Sequence, residues 1–310
     1  MPRITSDTAM RMVITIGMCL ACVVFARAEE RKGEEVVFSA MGCGPYTTEA
    51  ERALAHYIAL ENSELRKSSF LVHCGDIVTS KNKNWPEERY ENVASLLRTG
   101  NGIPTFIVPG DNEWNDQENP DLHWRYWTRH FLRFDASWPV PGGGKTERQE
   151  ERVENFAFVL NGVLFIGINH VGGRVHDADE WKTRHHQNSR WIGRQFAAHC
   201  EKVRSAVVFA QASADRKAPR FLPEFRGHAL SFKKPVLYLH ADGHKWFVRS
   251  GEWAPNVMHV QLDVVNAQFP PVQVTVTMDP EKPFVFARRL KEKRWKMKPA
   301  RSSSEGQSEK

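Results

Sequence analysis

The sequence predicts an α/β sandwich in which two packed sheets are flanked by helices. Three observations predict it. Short apolar runs rich in β-branched and aromatic residues recur along the chain, helical spacing separates the early ones, and from Met258 onward the runs follow one another with no room for a helix. The runs are VVFSAM (36–41), SFLVHC (69–74), PTFIVP (104–109), FAFVL (156–160), VLFIGI (163–168), SAVVFA (205–210), PVLYLH (235–240), MHVQLDVV (258–265) and VQVTVTM (272–278). Helices are expected in 47–65, with Thr47 or Thr48 as N-cap, and in 85–98, with Pro86 in the first turn. Asn161-Gly162 between two strand-like runs is a hairpin signal. The chain is thus expected to begin as βαβ units and to close as an antiparallel meander, with a flexible excursion over 135–152.

The ends read differently from the middle. Arg3 and Arg11 precede an apolar run, 12–25, and Ala26-Arg27-Ala28 has the form of a signal-peptidase site, so residues 1–28 are expected to be an export signal leading to a periplasmic or extracellular protein. The run spans 14 residues, short for a stable membrane span. Of five cysteines, Cys43, Cys74 and Cys200 lie beyond that segment, an odd number that closes no disulfide framework. The net charge of +6 is unevenly spread: residues 1–28 carry +2 and residues 288–310 carry +6, which leaves −2 for 29–287. The basic character therefore belongs to a tail, read as disordered, and does not describe a nucleic-acid-binding domain. The domain is expected over 29–287.

Each early strand runs into a polar cluster. VVFSAM leads to Gly42-Cys43-Gly44-Pro45-Tyr46, SFLVHC to Gly75-Asp76, PTFIVP to Gly110-Asp111-Asn112-Glu113, SAVVFA to Gln211-Ala212-Ser213, and PVLYLH to Ala241-Asp242-Gly243-His244. In α/β sheets, ligands gather at the carboxyl ends of strands. One Gly-Asp is an ordinary turn, but five clusters in equivalent positions imply one shared pocket. Carboxylates gathered there raise one another's pKa unless a cation neutralises them, so a metal is expected. His240, Asp242 and His244 alternate, and an extended backbone would turn all three to one face. His240 and His73 read equally as ligands or as histidines packed behind ligands.

Taken in order, strand-GCGPY, strand-HCGDIV, strand-PGDNEW, strand-QAS and strand-HADGH resemble the calcineurin-like metallophosphoesterase superfamily over residues 35–287, in particular an atypical secreted bacterial branch with altered motifs. The resemblance implies a four-layer αββα sandwich of two mixed sheets, with metals at the strand ends. It implies that Asp76 bridges two metals, that Asp111, Asp242 and His244 are ligands, and that Gln211 replaces a ligand histidine with a poorer donor. Cys43 and Pro45 occupy the aspartate and histidine positions of the first motif, and Asn112 stands where the family keeps the histidine that protonates the leaving group. A cysteine thiolate favours Zn, Fe or Mn over Mg, and one or two ions per chain are expected. Asn112 can bind phosphate but supplies no proton, so His73, His240 or a metal-bound water would be the acid. Two readings follow: a hydrolase of small phosphate mono- or diesters that uses metal-activated water, or a degenerate member that binds metal or a phosphorylated ligand. Trp114, Trp124, Trp127 and Trp246 read as core aromatics or as a wall for the substrate.

Overall fold

In each strand, successive side chains point to opposite faces, and both faces here are apolar, so each sheet must be covered on two sides. The computed structural model describes residues 33–62 and 68–290; the expected export signal and the tail from residue 291 lie outside the described residues. The order is β1 (Val36–Met41), α1 (Thr48–Leu60), β2 (Leu71–His73), α2 (Glu87–Arg98), β3 (Thr105–Ile107), α3 (Pro120–Phe131), β4 (Glu147–Arg148), β5 (Phe156–Leu160) and β6 (Val163–Gly167). It continues with α4 (Ala178–His199), β7 (Ser205–Phe209), α5 (Phe221–Phe232), β8 (Val236–His240), β9 (Phe247–Ser250), β10 (Val257–Gln261), β11 (Val272–Val276) and β12 (Phe284–Ala287). The five-stranded sheet has the order β12-β11-β1-β2-β3, and the seven-stranded sheet the order β4-β5-β6-β7-β8-β10-β9. Both are mixed. β1, β2 and β3 run parallel with β11 antiparallel to β1, and β6, β7, β8 and β10 run parallel between antiparallel neighbours.

Three apolar layers separate the four structural ones. Phe38, Phe70 and Phe106 of the smaller sheet meet Phe158, Phe165 and Phe209 of the larger one. Phe70 lies at the centre, stacked on Phe38 at 5.0 Å and edge-on to Phe165 at 4.9 Å. The alternate residues face outward: Met41, Leu71 and Ile107 pack under α1, α2 and α3, while Leu164, Val208 and Tyr238 pack under α4 and α5. The αββα sandwich implied by the resemblance is the fold observed.

The helix starts follow local chemistry. Thr47 caps α1 by accepting the Ala50 N–H at 3.1 Å. Pro86 is itself the N-cap of α2 rather than a first-turn residue, its extended backbone setting the entry. Asn161 and Gly162, both at positive φ, join β5 to β6 as expected.

Three expectations are corrected. The closing strands form no single meander: β10 completes the larger sheet beside β8, whereas β11 crosses to the smaller sheet and pairs with β1. The 135–152 excursion is anchored, since β4 extends the larger sheet and Arg148 pairs with Asp135. The domain also does not end at residue 287. Arg288 bonds Asp263 at 2.6 Å, and Arg289 pairs with Glu61 at 2.8 Å while lying 4.9 Å over the Tyr57 ring. The Arg289 and Glu61 side chains are only 5% and 1% exposed, so removing either leaves a buried charge without its partner. Arg289→Ala is expected to cost about 3–5 kcal/mol of stability, and Arg289→Lys less, since it keeps the charge. Thermal and denaturant unfolding of the three proteins measures this, and unchanged midpoints would place the pair outside the cooperative fold.

Candidate metal centre at the strand ends

The site begins with two glycines. Gly75 follows β2 at φ 77°, and a Cβ there would come within 2.7 Å of the Gly110 backbone. A Cβ on Gly110 would lie 2.1 Å from the Asp76 nitrogen, so the loops after β2 and β3 touch where neither residue has a side chain. Glu113 fastens them together. Its fully buried carboxylate accepts N–H bonds from Gly110 at 2.7 Å and from Asp76 and Ile77 at 3.1 Å each. Tyr90 holds the Glu113 carbonyl in turn, at 2.7 Å.

This fastening sets Asp76 beside Asp111. The Asn112 N–H donates to Asp76 Oδ1 at 3.2 Å. From the larger sheet, the loop after β8 adds Asp242 and His244, and from β1 comes Cys43, whose Sγ lies 3.4 Å from Asp76 Oδ2 and accepts the Asp242 N–H at 3.2 Å. Two groups of potential ligand atoms result, each within 4.8 Å of one another: Cys43, Asp76 and His244, and Asp76, Asp111 and Asp242. Asp76 belongs to both. Cys43, Asp76, Asp242 and His244 all adopt positive φ, a backbone that non-glycine residues keep where surrounding structure enforces it.

Charge is crowded here. Burial, reinforced by Glu113, pushes the Asp76 carboxyl up to about 7, and burial with Asp76 beside it raises Asp111 well above the carboxylate range. Burial likewise raises Glu113 to about 7, and raises the Cys43 thiol, with Asp76 adding to the effect. Arg216 stands 3.7 Å from Asp242, with half its side chain in solvent. A hard cation fits the three carboxylates, and a borderline one fits the thiol, carboxylate and imidazole set.

Three expected site residues stand elsewhere in function. Gln211 does not turn its carbonyl to the ligands. Its Oε1 accepts the Gly172 N–H at 2.8 Å, and because a backbone N–H only donates, the amide nitrogen must face Asp76 at 3.1 Å and Asp111 at 3.2 Å. His73 is sealed behind the first loop, with Nε2 bonded to the Gly44 carbonyl at 2.7 Å and burial lowering its pKa to about 4. His240 faces the helix side of its sheet, its Nε2 2.6 Å from His259 Nε2. The positive φ at Asp242 and His244 ends the extended alternation, which is why these three residues do not share a face. Asn112 does reach the site, its Nδ2 3.5 Å from the Tyr46 hydroxyl.

The sequence places Glu113 and Tyr46 in the polar clusters without giving either a role, and it leaves the Gly172-Gly173 loop out of the site. A Cβ on Gly173 would lie 2.7 Å from Asp111 Oδ2, so only a bare backbone passes there; the Val171-Gly172-Gly173 step after the sixth strand was the available signal. Beside this loop is a cleft of about 290 Å³ lined by Asp116, Gly173 and the basic Lys83, Arg174 and Lys217. Trp114 and Trp127 are core residues, Trp114 packing on the partly buried Trp124 at 4.5 Å, while Trp246 is partly buried against the layer between the sheets.

The fold and this cluster define a class: a double-sheet α/β protein with an acidic, metal-compatible site at the carboxyl ends of strands from both sheets. The family profile for calcineurin-like phosphoesterases matches residues 47–246, and the chain belongs to that family. A search of curated proteins finds no match. Among solved structures it is similar in fold to a dimetal phosphatase from Danio rerio, with TM-score 0.55, 10% identity and coverage of 81% of this chain and 98% of that one. It is also similar to GAP50, the anchor in the inner membrane complex of Plasmodium, with TM-score 0.54, 11% identity and coverage of 81% and 83%.

A carboxyl whose pKa is raised on folding stabilises the fold below its unfolded pKa and loses that contribution as pH rises through the folded value. For Asp76 and Glu113 the loss runs from about pH 4 to about pH 7. A divalent cation supplies the missing countercharge and must displace the proton on Asp76, so the rise in melting temperature on adding Mn or Zn should be larger at about pH 8 than at about pH 6. Calorimetry with and without metal at both values tests this; an equal gain would mean that the cluster is already ionised.

Proposed function

We propose that the protein is an exported, metal-dependent hydrolase of phosphate esters. The observation that carries this is the pair of ligand groups sharing Asp76. Asp76, Asp111 and Asp242 would hold one cation, and Asp76 with Cys43 and His244 would offer a second, softer set of ligands. When bound, the cation neutralises charge on phosphoryl oxygens and activates water.

The chain's own residues bind and orient the ester. The Tyr46 phenol stays protonated, because burial and then Asp76 raise its pKa, so it donates to a phosphoryl oxygen beside the Asn112 amide. Lys83, Arg174 and Lys217 rim the adjoining cleft and favour entry of an anion. Neither His73 nor His240 can protonate the leaving group from its buried place, so that proton comes from solvent. Export rests on the charged start, short apolar run and Ala-Arg-Ala ending of residues 1–28. Among the described residues, no helix is long and apolar enough to cross a membrane.

A second reading, a binding member without turnover, is favoured by the Gln211 amide. A nitrogen donor bonds both Asp76 and Asp111, and an amide nitrogen has no lone pair to offer a cation.

Metal analysis with assays on 4-nitrophenyl phosphate and its bis ester separates the two. Wild type is expected to retain one divalent ion and to hydrolyse at least one ester. Asp76→Asn should lose the metal and about a hundredfold or more in turnover. Cys43→Asp, which places a hard ligand in the softer position, should raise the metal content toward two and increase turnover. Metal-free, inactive wild type with no gain in Cys43→Asp would leave the binding reading.

A further inference from the structure

Beyond the carboxylate cluster, a cavity of about 940 Å³ lies between the first half of α4 and the start of α5. Its floor is aromatic: Trp181, His185 and Phe221, all buried, with the Trp181 and His185 rings edge to face at 5.3 Å. Its rim is cationic. Lys182, Arg190 and Arg220 line it, and none has an ion-pair partner among the described residues. The carboxylates in the lining are Asp179 and Glu224, and Glu224 faces His186 at 3.9 Å.

Two features distinguish this from an ordinary solvated face. Residues 29–287 carry a net −2, so unpaired cations converging on one cavity stand against an acidic background. Like charges held together over an apolar floor repel one another, and an anion placed among them relieves that repulsion. The volume is that of a small-molecule site, and aromatic floors favour flat ligands. The lining comes from the segments that follow the carboxyl ends of β6 and β7, the edge where α/β sheets receive ligands. Lys217 lines both this cavity and the cleft beside Asp111, so the two spaces adjoin.

We propose that the α4–α5 cavity is a binding site for a flat organic anion, distinct from the carboxylate cluster. The ring system fills the part of the cavity bounded by Trp181 and Phe221, and the anionic group faces Arg190, Arg220 and Lys182.

The test uses naphthalene-2-sulfonate, which carries no phosphate ester, followed by calorimetry and tryptophan fluorescence. Wild type is expected to bind it saturably, one per chain, and to bind the neutral 2-naphthylmethanol about tenfold more weakly. Arg190→Glu with Arg220→Glu changes two exposed positions and should weaken sulfonate binding about tenfold or more. Ala178→Trp, an exposed lining position, should block it by filling the space. Asp76→Asn should bind as wild type does, which separates this proposal from the hydrolase reading. Equal affinity in the double charge variant and in Ala178→Trp, or loss of binding in Asp76→Asn, would overturn it.

Discussion

The carboxylate of Glu113 is the constraint on which the site depends. It gathers the N–H groups of Gly110, Asp76 and Ile77, so that two loops from neighbouring parallel strands end in one hydrogen-bonded knot. A buried carboxylate with three donors is satisfied as few side chains can be, and an amide or aliphatic group could not accept all three. The closeness this demands explains Gly75 and Gly110, and the positive φ of Asp76 follows from the same turn. Asp76 is delivered to the centre of the cluster by a residue that is not itself a ligand.

Once the knot is tied, electrostatics takes over. Asp76 and Asp111 are buried with the partly exposed Asp242 beside them, and the Gln211 amide nitrogen bridges the first two. One amide places a partial positive charge where a divalent cation would place two full ones. The Gln211 amide therefore offsets part of the repulsion between these two carboxylates. The sheets are held by the aromatic layer around Phe70, and Cys43 belongs to the same apolar cluster, so the first loop of the site is packed against the core that the two sheets share.

Much of this was legible in the chain. The strand runs carry apolar residues at both parities, which is why their positions could be read while their sheets could not. Local pattern reports that β10 and β11 are strands, but pairing is decided by which edge each can reach, and the turn after Val265 sends β11 to β1. Arg288 and Arg289 looked like the start of a solvated basic tail because charge runs usually are; burial of Glu61 beneath α1 makes Arg289 part of the core edge.

The sequence by itself determined two packed sheets flanked by helices and the clustering of polar residues after successive strands, which rest on period and order that a linear chain displays. The four-layer αββα order and the roles of Asp76, Asp111, Asp242, His244, Cys43 and Asn112 were implied by the resemblance of those clusters to a known family. Only the tertiary structure decided that His73 and His240 turn away, that Gln211 presents nitrogen rather than oxygen, and what Glu113 and Tyr46 do within the site. The physical reason is direction. A backbone N–H from Gly172 orients the Gln211 amide, and left-handed turns at Asp242 and His244 re-aim side chains that strand periodicity would have placed together. Spacing along a sequence carries neither hydrogen-bond direction nor the sign of φ.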